Sequence, residues 1–216
     1  MNEDHQNVVD IAQDLVALGF ELVATKGTAR TLIKNGLDVK PVNKVAEGRP
    51  HVVDMIKNNE IDFALVSVIP EKLAIEEELL VENKLYLIGS QSIRDEKKPL
   101  IYREEGSATR LAMEKYFETH QGKRRKRMEL TSNEAVKQAV IAGLGYSVMP
   151  LIGIQNELLN KQLFILEAEG LPIQTEWRLI WLKGKKLSPV SQAYLDFIRA
   201  EKGKILEKNF NWYLNY

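Results

Sequence analysis

Three short stretches place hydroxyl, amide and charged side chains where a strand should give way to a helix. They are ATKGTA at 24–29, EGSATR at 105–110 and LTSNEA at 130–135. A helix start presents unbonded backbone N–H groups and the positive end of the helix dipole, so it attracts anions. In the first stretch Thr25 and Thr28 add hydroxyls and Lys26 adds charge. Gly27 has no Cβ and allows a ligand close to the backbone. In the second, Ser107 and Thr109 can serve as caps or as ligand contacts, and Arg110 can pair with an acid. In the third, Thr131 and Glu134 have the spacing of a capping box, which explains both without a ligand. Capping alone stands beside anion binding as a reading of each stretch.

Catalytic chemistry finds little support. His5, His51 and His120 are scattered without metal-ligand spacing, and there is no G-x-S-x-G elbow, P-loop or G-x-G-x-x-G. Cysteine is absent, which removes disulfides, thiolate metal sites and thiol nucleophiles. No cofactor and no metal are expected. His51 follows Pro50 in what should be the first helical turn, and a packed or exposed histidine is the simpler account of it.

The 216 residues hold 30 Lys and Arg against 30 Asp and Glu, so nothing in the balance recruits nucleic acid or an anionic membrane in bulk. The run KRRKR at 123–127 lacks interleaved aromatics and reads as a solvated loop edge. No apolar run reaches membrane-spanning length, and the opening MNEDHQNVVD is acidic and polar, unlike a signal peptide. The expectation is a cytoplasmic chain.

The elements that must position these residues follow from periodicity. QNVVDIAQDLVALG has apolar residues at helical spacing and ends at Gly19. FELVAT, DVKPVN and DFALVS read as strands separated by the helices TARTLIKNG and RPHVVDMIKNNE, the latter with Pro50 at its first position. Strand, helix, strand, helix, strand predicts a parallel, right-handed α/β layer. Beyond it, LLVENKLYLIGS, LIYRE, RMELTS, GYSVMP, LFILEAEG and EWRLIWLKG read as strands. SATRLAMEKYFETH, NEAVKQAVIAGLG and a long terminal helix capped by Ser188, with Pro189 at its first position, complete an α/β chain. The aromatic ending NFNWYLNY should pack on a lobe surface or a neighbouring chain.

Residues 1–63, through LGFELVATKGTARTL and VNKVAEGRPHVVDMIKNNEIDF, resemble the methylglyoxal-synthase-like allosteric domain of the carbamoyl-phosphate synthetase large chain. Residues 60–216 resemble the effector-binding domain of LysR-type transcriptional regulators. That likeness rests on EIDFALVSVIPEKLAIEEELLVENKLYLIGS, LIYREEGSATRLAMEKYF and MELTSNEAVKQAVIAGLGYSVMPLIGIQNEL. The two likenesses overlap at EIDF, and each is partial. The first lacks its opening strand, its second phosphate-holding loop and the catalytic acids of methylglyoxal synthase. The second lacks the opening of its first lobe and the helix-turn-helix.

The resemblances imply a fold like type II periplasmic binding proteins, with two lobes of mainly parallel sheet flanked by helices and a flavodoxin-like fragment grafted into the first. The lobes would be 1–83 plus 178–216, with 1–63 as the graft, and 84–177. They also imply ligand contacts: Thr25, Lys26, Gly27, Thr28, Asn43 and Lys44 from the synthetase-like part, and Ser67, Ser107, Thr109, Thr131 and Ser132 from the regulator-like part. A small anion in the inter-lobe cleft and a homodimer are the implied partners, with no nucleic acid, since the helix-turn-helix is missing. Two partial matches meeting inside one βαβ unit lead to the expectation of an engineered chimera that tests fold recombination and has no evolved catalytic function. The alternative is a small-anion binding module derived from a regulator.

Overall fold

A computed structural model describes residues 3–44, 47–92, 95, 97–120 and 126–216. Residues 123–125 of the basic run lie outside the described residues. The chain divides into two compact units. One comprises 1–64, 70–77 and 180–211; the other comprises 65–69, 78–179 and 212–216.

In the first unit, helix α1 (Glu3–Ala17) is followed by strand β1 (Leu22–Thr25), helix α2 (Lys26–Lys34) and strand β2 (Val39–Val42). The two strands pair in parallel, Leu22 with Val39 and Thr25 with Val42, as a βαβ crossover requires. Val9 and Ala12 of α1, Ala29 and Leu32 of α2, and Val39 form one buried cluster. The apolar stripe of α1 is therefore narrower than its sequence suggests, and Ile11 and Leu18 remain about 60% exposed (60% and 62%).

Helix α3 (Val52–Lys57) begins two residues later than expected. Pro50 does not open it. His51 is the N-cap, its Nδ1 accepting the Asp54 N–H at 3.4 Å while Asp54 Oδ2 accepts the His51 N–H at 3.1 Å. The buried imidazole thus acts as a cap, which explains its position without a ligand.

Strand β3 (Ala64–Val66) does not extend the β1–β2 pair. It belongs to a five-stranded sheet with β9 (Ile173–Leu182), β4 (Ile75–Gly89), β7 (Ser147–Pro150) and β8 (Phe164–Ile165), in the order β3-β9-β4-β7 with β8 beside β4. LLVENKLYLIGS contributes to the single strand β4, and LFILEAEG contributes only the two residues of β8. The pairings β4–β7 and β4–β8 are antiparallel, so the architecture is more mixed than the parallel order anticipated.

The second unit adds β5 (Leu100–Arg103), α4 (Ala108–Thr119), β6 (Arg127–Leu130), α5 (Asn133–Ile141) and α6 (Gln155–Leu159), the last unanticipated. Strands β5 and β7 are buried on both faces because both faces are covered. Leu85, Leu87, Leu100, Tyr102 and Val148 join Met113, Tyr116 and Phe117 of α4 in one cluster. Their sequence neighbours Ile88, Ile101 and Met149 join Val136, Ala139 and Val140 of α5 in another. Side-chain alternation along each strand divides it between two cores. Trp212 and Tyr213 of the aromatic ending pack against the α5 cluster.

Helix α7 (Pro189–Phe210) starts as expected. Ser188 Oγ accepts the Ser191 N–H at 3.1 Å, and Pro189 occupies the first turn. No helix of the described residues is long and apolar enough to cross a membrane.

Candidate functional site

In the first unit, parallel pairing sets the C-terminal ends of β1 and β2 side by side. Thr25, Lys26, Asn43 and Lys44 therefore come together. Thr25 is the half-buried N-cap of α2, and its hydroxyl makes no cap bond. Lys26, Gly27 and Thr28 are exposed. Lys26 Nζ lies 3.6 Å from Glu47 Oε2, and the Lys44 N–H donates to the same oxygen at 3.1 Å. Asn43 forms an isolated parallel bridge with His51. Glu47 is thus a carboxylate already held where the sequence suggested an exogenous anion.

The second unit repeats this arrangement more tightly. Strands β5 and β6 pair in parallel, Arg103 opposite Leu130, which places the starts of α4 and α5 side by side. Arg103 Nη1 donates to Asn133 Oδ1 and ties the two starts together. Its Nε bonds Glu104 Oε2 at 2.7 Å. Arg110 does pair with acids: Nε donates to Glu114 Oε1 at 3.0 Å, and Nη1 donates to Glu129 and to the Arg103 carbonyl.

Ser107 is the N-cap of α4, only 7% exposed, with an extended backbone and a hydroxyl that makes no cap bond. Thr109, half-buried, lies within the first turn. The capping box expected of Thr131 and Glu134 does not form, because the cap lies one residue later. Ser132 is the N-cap, and its Oγ accepts the Ala135 N–H at 3.0 Å. The extended backbone of Ser132 makes Asn133 the first helical residue, so Glu134 falls one position short of a box. Glu134 instead accepts from Gln138 Nε2 at 2.8 Å and pairs with Lys137 at 3.0 Å. Thr131 is exposed and precedes the cap.

Ser67, the remaining expected contact, lines a cavity of about 350 Å³ with Ile69, Gln174, Thr175, Glu176 and Arg178, all within the second unit. Arg178 Nε donates to Glu176 Oε2 at 3.0 Å, and Nη2 donates to the same carboxylate. The Thr175 hydroxyl donates to the Asn83 carbonyl at 3.2 Å. Sequence reasoning missed the β9 residues of this cavity. Their signal was the period-two series Gln174, Glu176, Arg178, one polar face of an otherwise bulky strand.

The family model of the LysR substrate binding domain matches residues 43–203. The RuBisCO operon transcriptional regulator of Allochromatium vinosum is 37% identical over 168 residues, covering 73% of this chain and 56% of that protein. The chain thus spans about half the length of the curated regulators it matches. The carbamoyl phosphate synthase large chain of Pseudomonas aeruginosa is 63% identical over 63 residues, 29% of this chain and 6% of that protein. Among solved structures, the Synechocystis PCC6803 CcmR regulatory domain in complex with 2-PG superposes with a TM-score of 0.65 at 30% identity, covering 84% of this chain and 96% of that one. These findings correct the expectation of an engineered chain with no evolved function. Most of the chain is a recognised binding domain that superposes on a regulatory domain bearing a ligand, and the effector-binding alternative fits better.

Proposed function

The chain belongs to the LysR substrate binding domain family, a two-lobed mixed α/β binding domain of the periplasmic-binding-protein-like kind and not an enzyme, and we propose that it is the effector-binding module of a transcriptional regulator, acting in the cytoplasm on a small anionic metabolite. The observation that carries this reading is the likeness to the CcmR regulatory domain, whose complex contains 2-PG. The paired starts of α4 and α5 support it. Ser107 offers a buried hydroxyl not engaged in capping, Ser132 an exposed one, and the neighbouring N–H groups of two helices favour negative charge. In the first unit, the ends of β1 and β2 supply Thr25, Lys26, Gly27, Thr28, Asn43 and Lys44 as further anion contacts. Thr109, in the first turn of α4, and Thr131, just before the N-cap of α5, complete the set of contacts. A homodimer belongs to the same reading.

Calorimetric titration with inorganic phosphate, sulfate, acetate and 2-PG tests the reading. Saturable binding of at least one anion is expected, and silence across the panel overturns it. Light scattering tests self-association.

We also infer that the chain has two ancestries, with residues 1–63 from a carbamoyl-phosphate-synthetase-like domain and the remainder from a regulator. Support comes from the contrast between 63% identity over 63 residues to the synthase and 37% over 168 residues to the regulator.

A further inference from the structure

The cavity beside β9 has chemistry of its own. Its two charged side chains, Glu176 and Arg178, are paired with each other on one face of the strand. Arg178 is mostly buried, at 19% side-chain exposure, whereas Glu176 is 42% exposed. The guanidinium is therefore the fixed member, and the carboxylate is the one free to swing into water. Ser67 and Gln174 complete the polar lining, while the Thr175 hydroxyl is engaged by the Asn83 carbonyl. Ile69 supplies an apolar wall and is 41% exposed. The volume, about 350 Å³, equals that of about a dozen water molecules, enough for a small metabolite.

A guanidinium presents a planar fork of donors that matches a carboxylate or phosphate. Here the fork is occupied by the chain's own carboxylate. Resting on the effector-binding reading above, we propose that this cavity is a subsite for a small oxyanion, in which the ligand's acid group replaces Glu176 on Arg178. Ser67 and Gln174 donate to the ligand's remaining oxygens, and the displaced Glu176 turns to solvent. Glu176 is then a specificity-determining residue. It lowers affinity for every oxyanion by competing for Arg178, and it disfavours multiply charged ligands by remaining near them as a like charge. No bond is made or broken in the exchange; one ion pair substitutes for another.

Titration of the whole chain and two variants with inorganic phosphate, acetate and 2-PG tests this, with circular dichroism confirming that each variant is folded. Glu176→Gln keeps the shape and removes the competing charge, and should tighten oxyanion binding about fivefold, the size of a partly exposed ion pair. Arg178→Gln removes the receiving fork and should weaken binding about tenfold or more. The gain in Glu176→Gln should be larger for phosphate than for acetate. Equal affinities in all three proteins would overturn the subsite while leaving the effector reading intact. Absence of binding in every protein, Glu176→Gln included, would overturn both.

Discussion

Asp62 and Lys185 stand 2.7 Å apart, carboxylate to ammonium, and this contact fastens the connection between β9 and α7 to the turn before β3. The other carboxylate oxygen accepts the Ser191 hydroxyl at 2.8 Å, and Lys185 Nζ also donates to the Ile61 carbonyl at 2.9 Å. Ser188 and Ser191 exchange a further hydroxyl bond at 2.9 Å. Asp62 lies in EIDF, where the two sequence likenesses overlap. Both of its side-chain partners come from the regulator-like end of the chain, so the acidic turn is a structural anchor as well as a boundary.

Substituting Asp62 with Asn should therefore destabilise the fold. Asp62 is 38% exposed on its side chain while Lys185 is only 9% exposed, so the loss falls mainly on the buried lysine, which keeps the Ile61 carbonyl. The expected cost is about 1–2 kcal/mol in urea denaturation. Burial alone would raise the Asp62 pKa, but hydrogen bonds from Lys185 and Ser191 and the lysine charge outweigh it and leave it below 3.8. A lowered carboxylate stabilises the fold fully above its unfolded value, and the contribution disappears as the pH falls through the lower folded value. The variant should thus lose stability near neutral pH and approach the parent protein as the pH falls through the lowered folded value. An equal deficit at pH 7 and at acid pH would contradict the assignment.

Lys137 offers the opposite sign. It is 8% exposed and bonds Glu157 at 2.8 Å and Glu134 at 3.0 Å; the first acid is 15% exposed, the second 39%. Burial would lower the lysine pKa, but the two carboxylates outweigh it and hold it above 10.5. Its contribution is present below the unfolded value and is lost as the pH rises through the higher folded one. Glu157→Gln should cost about 3 kcal/mol because it leaves a buried ammonium poorly paired, whereas Glu134→Gln should cost under about 1 kcal/mol. Lys137→Met, which removes the charge and keeps the volume, should cost less than Glu157→Gln. Equilibrium unfolding of the three variants at one pH separates these outcomes.

Gly145 is required by a close approach. A Cβ there would sit 2.4 Å from the Pro99 carbonyl oxygen and 3.0 Å from Ile101 Cγ1. The next residue fixes that distance, because the Tyr146 N–H donates to the Pro99 carbonyl at 3.0 Å and the Ile101 N–H to the Tyr146 carbonyl at 2.7 Å. Gly145→Ala should cost about 3 kcal/mol, as overpacking against backbone does. Thermal unfolding measures it, and a change within about 0.5 kcal/mol would mean that β5 and β7 can separate locally.

Much of the architecture was legible where local chemistry decides it. Ser188 and Pro189 mark the start of α7, and Gly19 closes α1, because capping is a short-range matter. Cap positions failed by one or two residues where several candidates adjoin. Thr131 and Ser132 both carry hydroxyls, and only backbone conformation selects Ser132. Pro50 and His51 compete in the same way, and the Asp54 carboxylate decides for His51. Strand β8 was overestimated because an apolar run shows burial, not how many residues find a partner. The cavity beside β9 was half hidden. Ser67 stood out after a strand, but its companions at 174–178 are brought to it only by tertiary structure.

Ser107 and Ser132 make a paired test of capping against binding, the two readings that sequence alone leaves open at a helix start. Both are N-caps of neighbouring helices in the second unit. Only Ser132 forms a side-chain cap, accepting the Ala135 N–H at 3.0 Å. Replacing it with Ala removes that bond and should cost about 1 kcal/mol. Ser107 makes no cap bond although it is 7% exposed, so Ser107→Ala loses no helix contact and should change stability by under about 0.5 kcal/mol. If its hydroxyl instead meets an effector, the same substitution should weaken anion binding about tenfold, since a bond to a charged partner is lost. Chemical denaturation and calorimetric titration of both variants give four numbers. The proposed roles require that Ser132→Ala fall mainly on stability and Ser107→Ala mainly on affinity. A Ser107→Ala protein that is destabilised as much as Ser132→Ala and binds anions unchanged would return Ser107 to a structural role.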